Sequence, residues 1–293
     1  MLWVLFTLLA ASMQAARNAF QKQLSQTVPV LGVTLARFLY AVPLAICYLL
    51  SHYIFQEQFA LPQWNGAFFA YVVGASIAQI LATALMVQLF RLKNYAIGVG
   101  LAKSEAILTA ILGVSFFGTQ LGVLGWLGVL IGGIAIFMMT GGIRLKALSW
   151  QTLGIGLGSG LSFALTSLWV REASLQLDLP ALTSAAWVIF SVISCEAVML
   201  VCYLAWREPE TLRKLMQQQK LLLATSVFSF VGSLGWFSAM SLQHVAFVKT
   251  VGQIEVLFTL LISLLIFKER LKSSDIWGLF LIVIAAILVV WGA

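Results

Sequence analysis

The stretch Asn94–Phe117, NYAIGVGLAKSEAILTAILGVSFF, is apolar enough to cross a bilayer, yet it carries Lys103 and Glu105 near its middle. A carboxylate at the centre of a membrane span costs about 2.5–3.5 kcal/mol on insertion scales. A second stretch of the same design, His244–Phe267, reads HVAFVKTVGQIEVLFTLLISLLIF and carries Glu255 at the equivalent place. Packing alone explains poorly why both copies carry this cost at matching positions. We therefore interpret the rest of the chain as the scaffold around these two helices.

An internal repeat with a shift of 150 residues relates the two parts of the chain. It continues past the two stretches, where the identity is thin and the order of features carries more weight than any single match. The repeat predicts two equivalent halves, residues 1–143 and residues 144–293. The matched pairs are Ala96 and Ala246, Glu105 and Glu255, Thr109 and Thr259, Phe117 and Phe267, Leu121 and Leu271, and Gly128 and Gly278.

The composition is that of an integral membrane protein. Hydrophobic residues make up 61% of the 293 residues and charged residues only 9%, whereas a soluble domain has about 25% charged residues. The net charge of +7 comes from basic residues in short turns rather than from a patch or an arm, so it does not indicate nucleic-acid binding. Three cysteines inside apolar segments argue against a disulfide framework or a metal site.

Charges, prolines and turns divide the sequence into ten apolar segments, each near the length of about 20 residues that spans a bilayer. Each is expected to be helical, because backbone groups in lipid must form their hydrogen bonds internally. The predicted fold class is therefore an all-α membrane protein with ten transmembrane helices. Five spans per half is an odd number, so the halves enter the membrane in opposite senses and form an inverted-topology repeat. The predicted spans are 2–22, 30–52, 64–90, 95–117, 121–141, 151–173, 181–206, 220–242, 245–267 and 274–292.

Lysine and arginine residues concentrate in alternate loops, which predicts that these loops lie on one side of the membrane. By the positive-inside rule that side is cytoplasmic, so both termini are expected outside. The longest polar connection, Arg207–Lys220, is predicted to form a short interfacial helix. The basic residues in these loops are Lys22, Arg91, Lys93, Arg144, Lys146, Arg207, Arg213, Lys214, Lys220, Lys268, Arg270 and Lys272.

The two halves and two short motifs are similar to those of a known family. An Arg-Phe pair, Arg37-Phe38, and the Lys-Glu-Arg-Leu turn Lys268–Leu271 resemble features of the drug/metabolite transporter superfamily, specifically its EamA-type ten-span carriers. The first half has Gly118–Leu121 at the place of that turn, without the acid. The resemblance implies a secondary carrier in a cell membrane, here a bacterial inner membrane. It also implies cytoplasmic termini, which disagrees with the loop charges.

The two glutamates are the leading candidates for substrate or proton binding. Glu105 and Glu255 are predicted to line a midplane cavity and bind a cationic group or a coupling proton. The structural alternative is that each neutralises a buried lysine. Lys103 is two residues from Glu105 and points away from it on a helix, so Glu255 of the other half is its candidate partner. Lys249 either contacts an anion or extends to the membrane interface.

Arg37 lies deep in the second span and needs an acid or a cavity, with Glu196 as its partner by elimination. Its two alternatives are a structural anchor and a substrate contact. Arg17 and Arg171 are expected near helix ends, as interfacial or gate residues. Uncharged side chains form a weaker tier for hydrogen bonds and aromatic walls, with packing as their alternative role. This tier includes Gln14, Gln79, Gln253, Tyr40, Trp187 and Trp236.

These observations predict a secondary active transporter of small organic metabolites or toxic compounds, with amino-acid-like zwitterions or cations favoured. Alternating access, export and proton coupling through Glu105 and Glu255 are expected. The expected partners are a small-molecule substrate, the lipid bilayer and protons, with no nucleic acid, no cofactor and no metal, in a monomer or homodimer. One alternative is an uncoupled facilitator or exchanger. Another is an intramembrane enzyme on lipid-linked substrates, although the usual catalytic signatures are missing.

Overall fold

The structure is a computed structural model that describes residues 1–54, 61–92, 102–139, 149–266 and 273–292. All regular structure in these ranges is helical, which confirms the predicted all-α class. The basic turn Lys268–Leu271 and the basic residues Lys93, Arg144 and Lys146 lie outside them. The helices are α1 (Leu2–Leu24), α2 (Val30–Leu35), α3 (Ala41–Ile54), α4 (Gly66–Leu92), α5 (Glu105–Phe116), α6 (Val123–Met139), α7 (Trp150–Leu175), α8 (Ala181–Arg207), α9 (Pro209–Met216), α10 (Gln219–Leu242), α11 (Val245–Val251), α12 (Glu255–Ile266) and α13 (Ser273–Gly292).

Several of these helices fit a lipid environment. Within the described ranges, five helical segments are long and apolar enough to cross a membrane: Gly66–Leu92, Trp150–Leu175, Ala181–Arg207, Gln219–Leu242 and Val245–Ile262. The shorter apolar helices are Ala41–Ile54, Glu105–Phe116, Val123–Met138 and Ile276–Gly292. The full count of ten spans stays a prediction.

The outer face of α4 illustrates how these helices meet lipid. Phe69, Val73, Ile77 and Leu81 are spaced by four residues, and all are exposed. Residues at this spacing lie on one face of a helix, so they form a continuous apolar stripe. A stripe of this kind is unfavourable in water and is the expected surface of a helix in a bilayer.

The second span is not the continuous helix predicted over residues 30–52. Helix α2 ends at Leu35, residues 36–40 form turns, and α3 begins at Ala41. Pro43 explains the break, because it has no N–H to donate to the carbonyl of Leu39 and its ring crowds the preceding turn. Arg37 therefore lies in a turn between two helical pieces rather than on a helix.

The ninth span is also broken. Helix α11 gives way to a short 3₁₀ segment, Gly252–Ile254, and α12 begins at Glu255. Gly252 permits this geometry, because a Cβ at this position would overlap the ring of Trp236. In the first half, α5 begins at Glu105, the matched residue of the repeat, directly after two turn residues, and both helices are 12 residues long.

Three helix pairs form the most extensive contacts in the described bundle: α4 with α7, α1 with α10, and α6 with α13. Glycines allow the close approach. A Cβ at Gly235 on α10 would lie 2.6 Å from the carbonyl oxygen of Phe6 on α1. A Cβ at Gly128 on α6 would lie 2.9 Å from the carbonyl oxygen of Ala285 on α13. Small residues at such crossings bring two backbones together and increase van der Waals packing.

Candidate functional site

Glu255 is held by three donors from the first half of the chain. Its carboxylate forms an ion pair with the Nζ of Lys103 through Oε2. The side-chain amide of Gln14 donates to the same oxygen at 2.5 Å, and that of Asn18 donates to Oε1 at 3.0 Å. The residue is 0% exposed. A buried carboxylate is tolerated only when such partners replace water, and here both oxygens have a partner.

Glu105 forms the corresponding ion pair with the second half. The Nζ of Lys249 lies 2.7 Å from its Oε1. The hydroxyl of Ser167 on α7 donates to the same oxygen at 3.1 Å and also to the carbonyl of Phe163. Glu105 is 7% exposed, so it is less enclosed than Glu255. Both halves therefore contribute one lysine and one glutamate to each other.

The predicted pairing of Lys103 with Glu255 across the repeat is present in the structure. Lys249 does not extend to the membrane interface, the alternative considered above, because its ammonium pairs with Glu105 in the interior. Its Nζ also lies 4.2 Å from the ring centroid of Trp236, a cation–π contact. We call Lys103, Glu105, Lys249 and Glu255 the four-charge centre.

Gln14 and Trp236 connect the two ion pairs. The indole N–H of Trp236 donates to Oε1 of Gln14 at 2.8 Å, and the amide of Gln14 donates in turn to Glu255. Because Trp236 also stacks under Lys249, a chain of contacts runs from one lysine to the opposite glutamate. Two neutral side chains therefore link the two ion pairs.

The helix starts at Glu105 and Glu255 contribute to the electrostatics. Each glutamate occupies the first turn of its helix, α5 or α12. Free N–H groups and the helix dipole favour negative charge at this end. Gly160 on α7 lets that helix close onto the start of α5, since a Cβ there would overlap the hydroxyl of Ser104. Interrupted helices whose ends meet at mid-membrane are a recurrent design of transporter binding sites.

A small cavity adjoins three of the four charges, Lys103, Glu105 and Glu255, and it has room for about one water molecule. The conformation described here is therefore closed around the charges, and an organic solute needs a wider opening to reach them. The lining residues are Gln14, Asn18, Met86, Ala102, Lys103, Glu105, Phe163 and Glu255.

Arg17 was predicted to be an interfacial or gate residue near a helix end, but the structure buries it, so the interfacial position was wrong. It is 1% exposed, and its guanidinium donates to Oδ1 of Asn18 at 2.8 Å and 3.3 Å. This bond orients the amide of Asn18 so that its NH₂ faces Glu255. Arg171 does lie at a helix end, where it donates to the carbonyls of Met240 and Gln243 and so caps α10.

Arg37 is buried but lies in a separate polar cluster. Its guanidinium donates to the hydroxyl of Ser229 at 3.1 Å and to that of Thr83 at 2.6 Å. It forms no ion pair with Glu196, its predicted partner, and its two side-chain hydrogen bonds go to these hydroxyls instead. Gln79 is also buried, and its amide nitrogen has no hydrogen-bond partner among the described residues.

Two predicted aromatic wall residues lie away from the four-charge centre. The indole N–H of Trp187 donates to the hydroxyl of Tyr53 at 2.7 Å, and its ring packs edge-on against Trp64. The hydroxyl of Tyr40 donates to the side chain of Gln219 at the start of α10. Each side chain joins its own span to another part of the chain, so these contacts fit a packing role.

Gln253 lies on the 3₁₀ segment next to Glu255 and packs against Gly132, where a Cβ would overlap its side chain. It is buried, and neither amide atom has a partner in the described part of the chain. Sequence reasoning overlooked Asn18 and Ser167. Asn18 follows Gln14 by four residues and lies on the same helix face, so its position could have been inferred from that of Gln14. No sequence pattern points to Ser167.

An apolar helix bundle with buried charges at interrupted helices is typical of membrane transporters. The model of the EamA-like transporter family matches residues 150–291, and this family is part of the drug/metabolite transporter superfamily. The family predicted from the sequence is confirmed by this match. The protein is accordingly a multi-pass membrane transporter of small molecules, with membrane lipid as its surroundings.

A solved crystal structure of a protein supports the fold along nearly the whole chain. It superposes with a TM-score of 0.73 and covers 98% of this chain and 99% of its own, at 13% sequence identity. At that identity the likeness concerns the fold alone. No curated protein matches the sequence.

Proposed function

We propose that this protein is a secondary active transporter of small organic solutes, with zwitterions such as amino acids, or cations, as the favoured class. The observation that carries the proposal is the four-charge centre, in which two lysine–glutamate pairs join the halves at the starts of α5 and α12. Transport proceeds by alternating access, with the solute replacing contacts between the halves.

A zwitterion fits this centre because it can replace both partners of a pair. Removing one partner from a buried ion pair costs about 3–5 kcal/mol, since the other charge is left uncompensated. A solute ammonium that binds Glu105 while the solute carboxylate binds Lys249 leaves neither charge alone. The solute thereby separates the halves at this point without an unpaired buried charge. A cation satisfies only the glutamate and leaves the lysine to another acceptor.

The packing of the helices supports an inverted repeat of two five-span halves. If the halves are exchanged, the first span α1 becomes the sixth span α7, and the third span α4 becomes the eighth span α10. The close pair α1–α10 then becomes the close pair α7–α4, which is also present. The pair α6–α13 maps onto itself, as does the pair α3–α8. We take residues 1–143 and 144–293 as the two repeats.

We propose that the basic end of the bundle is cytoplasmic in a bacterial inner membrane, with both termini outside and the solute exported. Lys22 near the end of α1 bonds the carbonyl of Phe90 near the end of α4, so two basic helix ends lie together. By the positive-inside rule, this basic end of the bundle lies on the cytoplasmic side. Both ion pairs lie within one chain, so a monomer is a sufficient unit for transport.

Protons are the proposed coupling ion, with Glu105 and Glu255 as carboxyls that lose their lysines when the centre opens. An ionised glutamate without its lysine is costly in this setting. Either the ammonium of the solute or a proton removes that cost. Binding of one then excludes the other, which is the requirement for exchange of a solute against protons.

The test is counterflow and uptake in sealed proteoliposomes with a panel of labelled amino acids and organic cations. We expect counterflow of at least one zwitterion or cation, and faster net movement when a pH gradient is imposed. Counterflow at a rate that does not change with the pH gradient would favour an uncoupled facilitator or exchanger. A panel without any counterflow, combined with release of a chemically altered product from lipid-linked substrates, would replace the transporter with an enzyme.

A further inference from the structure

Glu196 is a buried carboxyl that the four-charge centre does not use. It lies in the middle of α8 and is 0% exposed. Neither carboxyl oxygen has a hydrogen-bond partner among the described residues. This contrasts with Glu105 and Glu255, each of which holds a lysine.

Arg37 is the charged group that interacts electrostatically with Glu196, although the two side chains form no ion pair. The guanidinium of Arg37 donates to Thr83 on α4 and to Ser229 on α10. It also interacts electrostatically with Glu105. Helix α8 packs against α2, α3, α4, α7, α9 and α10. The other charged groups and the histidine on these elements lie toward the helix ends: His52, which contacts Thr183 in the first turn of α8, Arg91, Arg171, Glu172, Glu210, Arg213, Lys214 and Lys220. The remaining titratable side chains on them are Cys47, Tyr48 and Tyr53 on α3 and Tyr71 on α4.

An ionised carboxylate is not sustainable in this arrangement. Burial of a charge without hydrogen-bond donors or a paired counter-charge costs several kcal/mol, and the group avoids the cost by becoming neutral. Arg37 donates to two hydroxyls through Nε and Nη1 and gives no hydrogen bond to either oxygen of Glu196. The neutral acid is therefore the form of Glu196 that suits this conformation.

We propose that Glu196 is a proton-binding site, occupied in the closed conformation described here and emptied in another conformation of the transport cycle. This site rests on the proposed function and deepens it, because it adds a proton carrier separate from the solute-binding charges. The step is a simple dissociation: the O–H bond of Glu196 breaks, the proton passes to water, and a carboxylate remains.

The carboxylate then attracts Arg37, the charged group that acts on it. If the guanidinium turns to Glu196, its bonds to Thr83 and Ser229 are lost. These two hydroxyls belong to α4 and α10, which are equivalent helices in the proposed repeat. Loss of the proton therefore loosens a tie between the halves, and this links proton release to the movement of α4 against α10.

Infrared difference spectroscopy of the purified full-length protein in lipid nanodiscs tests the site without any solute. A protonated carboxyl in apolar surroundings has its own C=O stretching band, which disappears on deprotonation. We expect this band at neutral pH in the wild type and its loss in Glu196→Gln, with no loss in the exposed control Glu210→Gln. Absence of the band, or its persistence in Glu196→Gln, overturns the proposal.

Hydrogen–deuterium exchange provides the second readout. After division by the intrinsic, base-catalysed exchange rate at each pH, peptides that contain Thr83 and Ser229 are expected to lose protection over the pH range in which the infrared band is lost. In Glu196→Gln this pH dependence should vanish, while Glu210→Gln retains it. A pH dependence that survives in Glu196→Gln contradicts the link through Arg37.

If Glu196→Gln does not fold, labelling of the wild type with a hydrophobic carbodiimide gives the answer, because the reagent attacks protonated carboxyls in apolar sites. Mass spectrometry should find Glu196 labelled at neutral pH and unlabelled at high pH. An unlabelled Glu196 at every pH overturns the site. None of these measurements depends on transport, so their failure is distinct from failure of the proposed function.

Discussion

Glu105 and Glu255 occupy the same place in the two halves but have different surroundings. Glu255 is fully buried and receives an ammonium and two amide donors. Glu105 is slightly exposed and receives an ammonium and one hydroxyl, and that hydroxyl is shared with a backbone carbonyl. One carboxylate is therefore held firmly, and its counterpart is held mainly by one lysine.

This difference divides the work between the two glutamates. Repeated halves supply two acidic positions, while the side chains around each position set how easily its lysine can leave. We interpret Glu255 as the more firmly held carboxylate, which keeps the halves in register until the centre opens. Glu105 is the carboxylate that exchanges its lysine for the solute. The predictions below test this division, beginning with the largest expected effect.

Removal of Lys103 should have the largest effect on stability. Lys103→Met leaves Glu255 buried with amide donors alone, which is expected to cost about 3–5 kcal/mol of unfolding free energy. Thermal unfolding in detergent measures the loss. The double variant Lys103→Met, Glu255→Met should recover part of it, because no charge is then left unpaired. An unchanged melting temperature in Lys103→Met would mean that the ion pair contributes nothing.

Single glutamate substitutions should separate anchoring from exchange. Glu105→Gln is expected to lower the counterflow rate by at least about tenfold, equivalent to about 1.4 kcal/mol. Each variant leaves one lysine without its counter-charge, but Glu255→Gln should lower the melting temperature more, because it also removes the charged acceptor of Gln14 and Asn18. Rates and melting temperatures measured on the same preparations decide the matter. Identical behaviour of the two variants would remove the proposed division.

Loss of Asn18 should weaken the anchor by a smaller amount. Asn18→Ala removes a donor to Glu255 and leaves Arg17 without its acceptor there, at an expected cost of about 1.5–3 kcal/mol for a bond to a charged group. Asn18→Asp, which keeps the shape, should be at least as harmful, because it brings a second anion close to Glu255. A neutral result for both variants would show that Lys103 alone secures the carboxylate.

Ser167→Ala should have the smallest effect within the centre. The hydroxyl also bonds the carbonyl of Phe163 on its own helix, so its removal is expected to cost about 1 kcal/mol or less. The exposed pair of Glu210 and Arg213 provides the baseline, since a surface ion pair contributes about 0–1 kcal/mol. If Ser167→Ala is more harmful than Asn18→Ala, the order of the two sites is reversed.

The charged part of the site was predictable from the sequence because charge is expensive in a membrane span. The repeat register identified Glu105 and Glu255, and the helix period excluded a bond between Lys103 and Glu105. The neutral partners carry no such signal. Asn18 and Ser167 acquire their roles from the packing of α1 and α7, which composition does not reveal. Arg17 was assigned to an interface because depth along a span was estimated from the helix end alone.

The interrupted helices were predictable in part. Pro43 marks the break in the second span, although the hydrophobic run over residues 30–52 favoured one continuous helix. The 3₁₀ segment before Glu255 includes Gly252, and the hydrophobic pattern does not reveal the contact of this glycine with Trp236 on the preceding helix. Arg37 shows the limit of pairing by elimination. Glu196 is the remaining deep acid, yet the guanidinium of Arg37 donates its hydrogen bonds to two hydroxyls rather than to Glu196.

The central claim is that the four-charge centre carries transport. The most direct measurement is counterflow in proteoliposomes by the double variant Glu105→Gln, Glu255→Gln, with the solute that the wild type exchanges fastest. Glu210→Gln is the matched control, and monodisperse elution from gel filtration is required of both variants. We predict that the control keeps the wild-type rate and that the double variant falls to the rate of empty liposomes. Wild-type counterflow by the folded double variant would contradict the account.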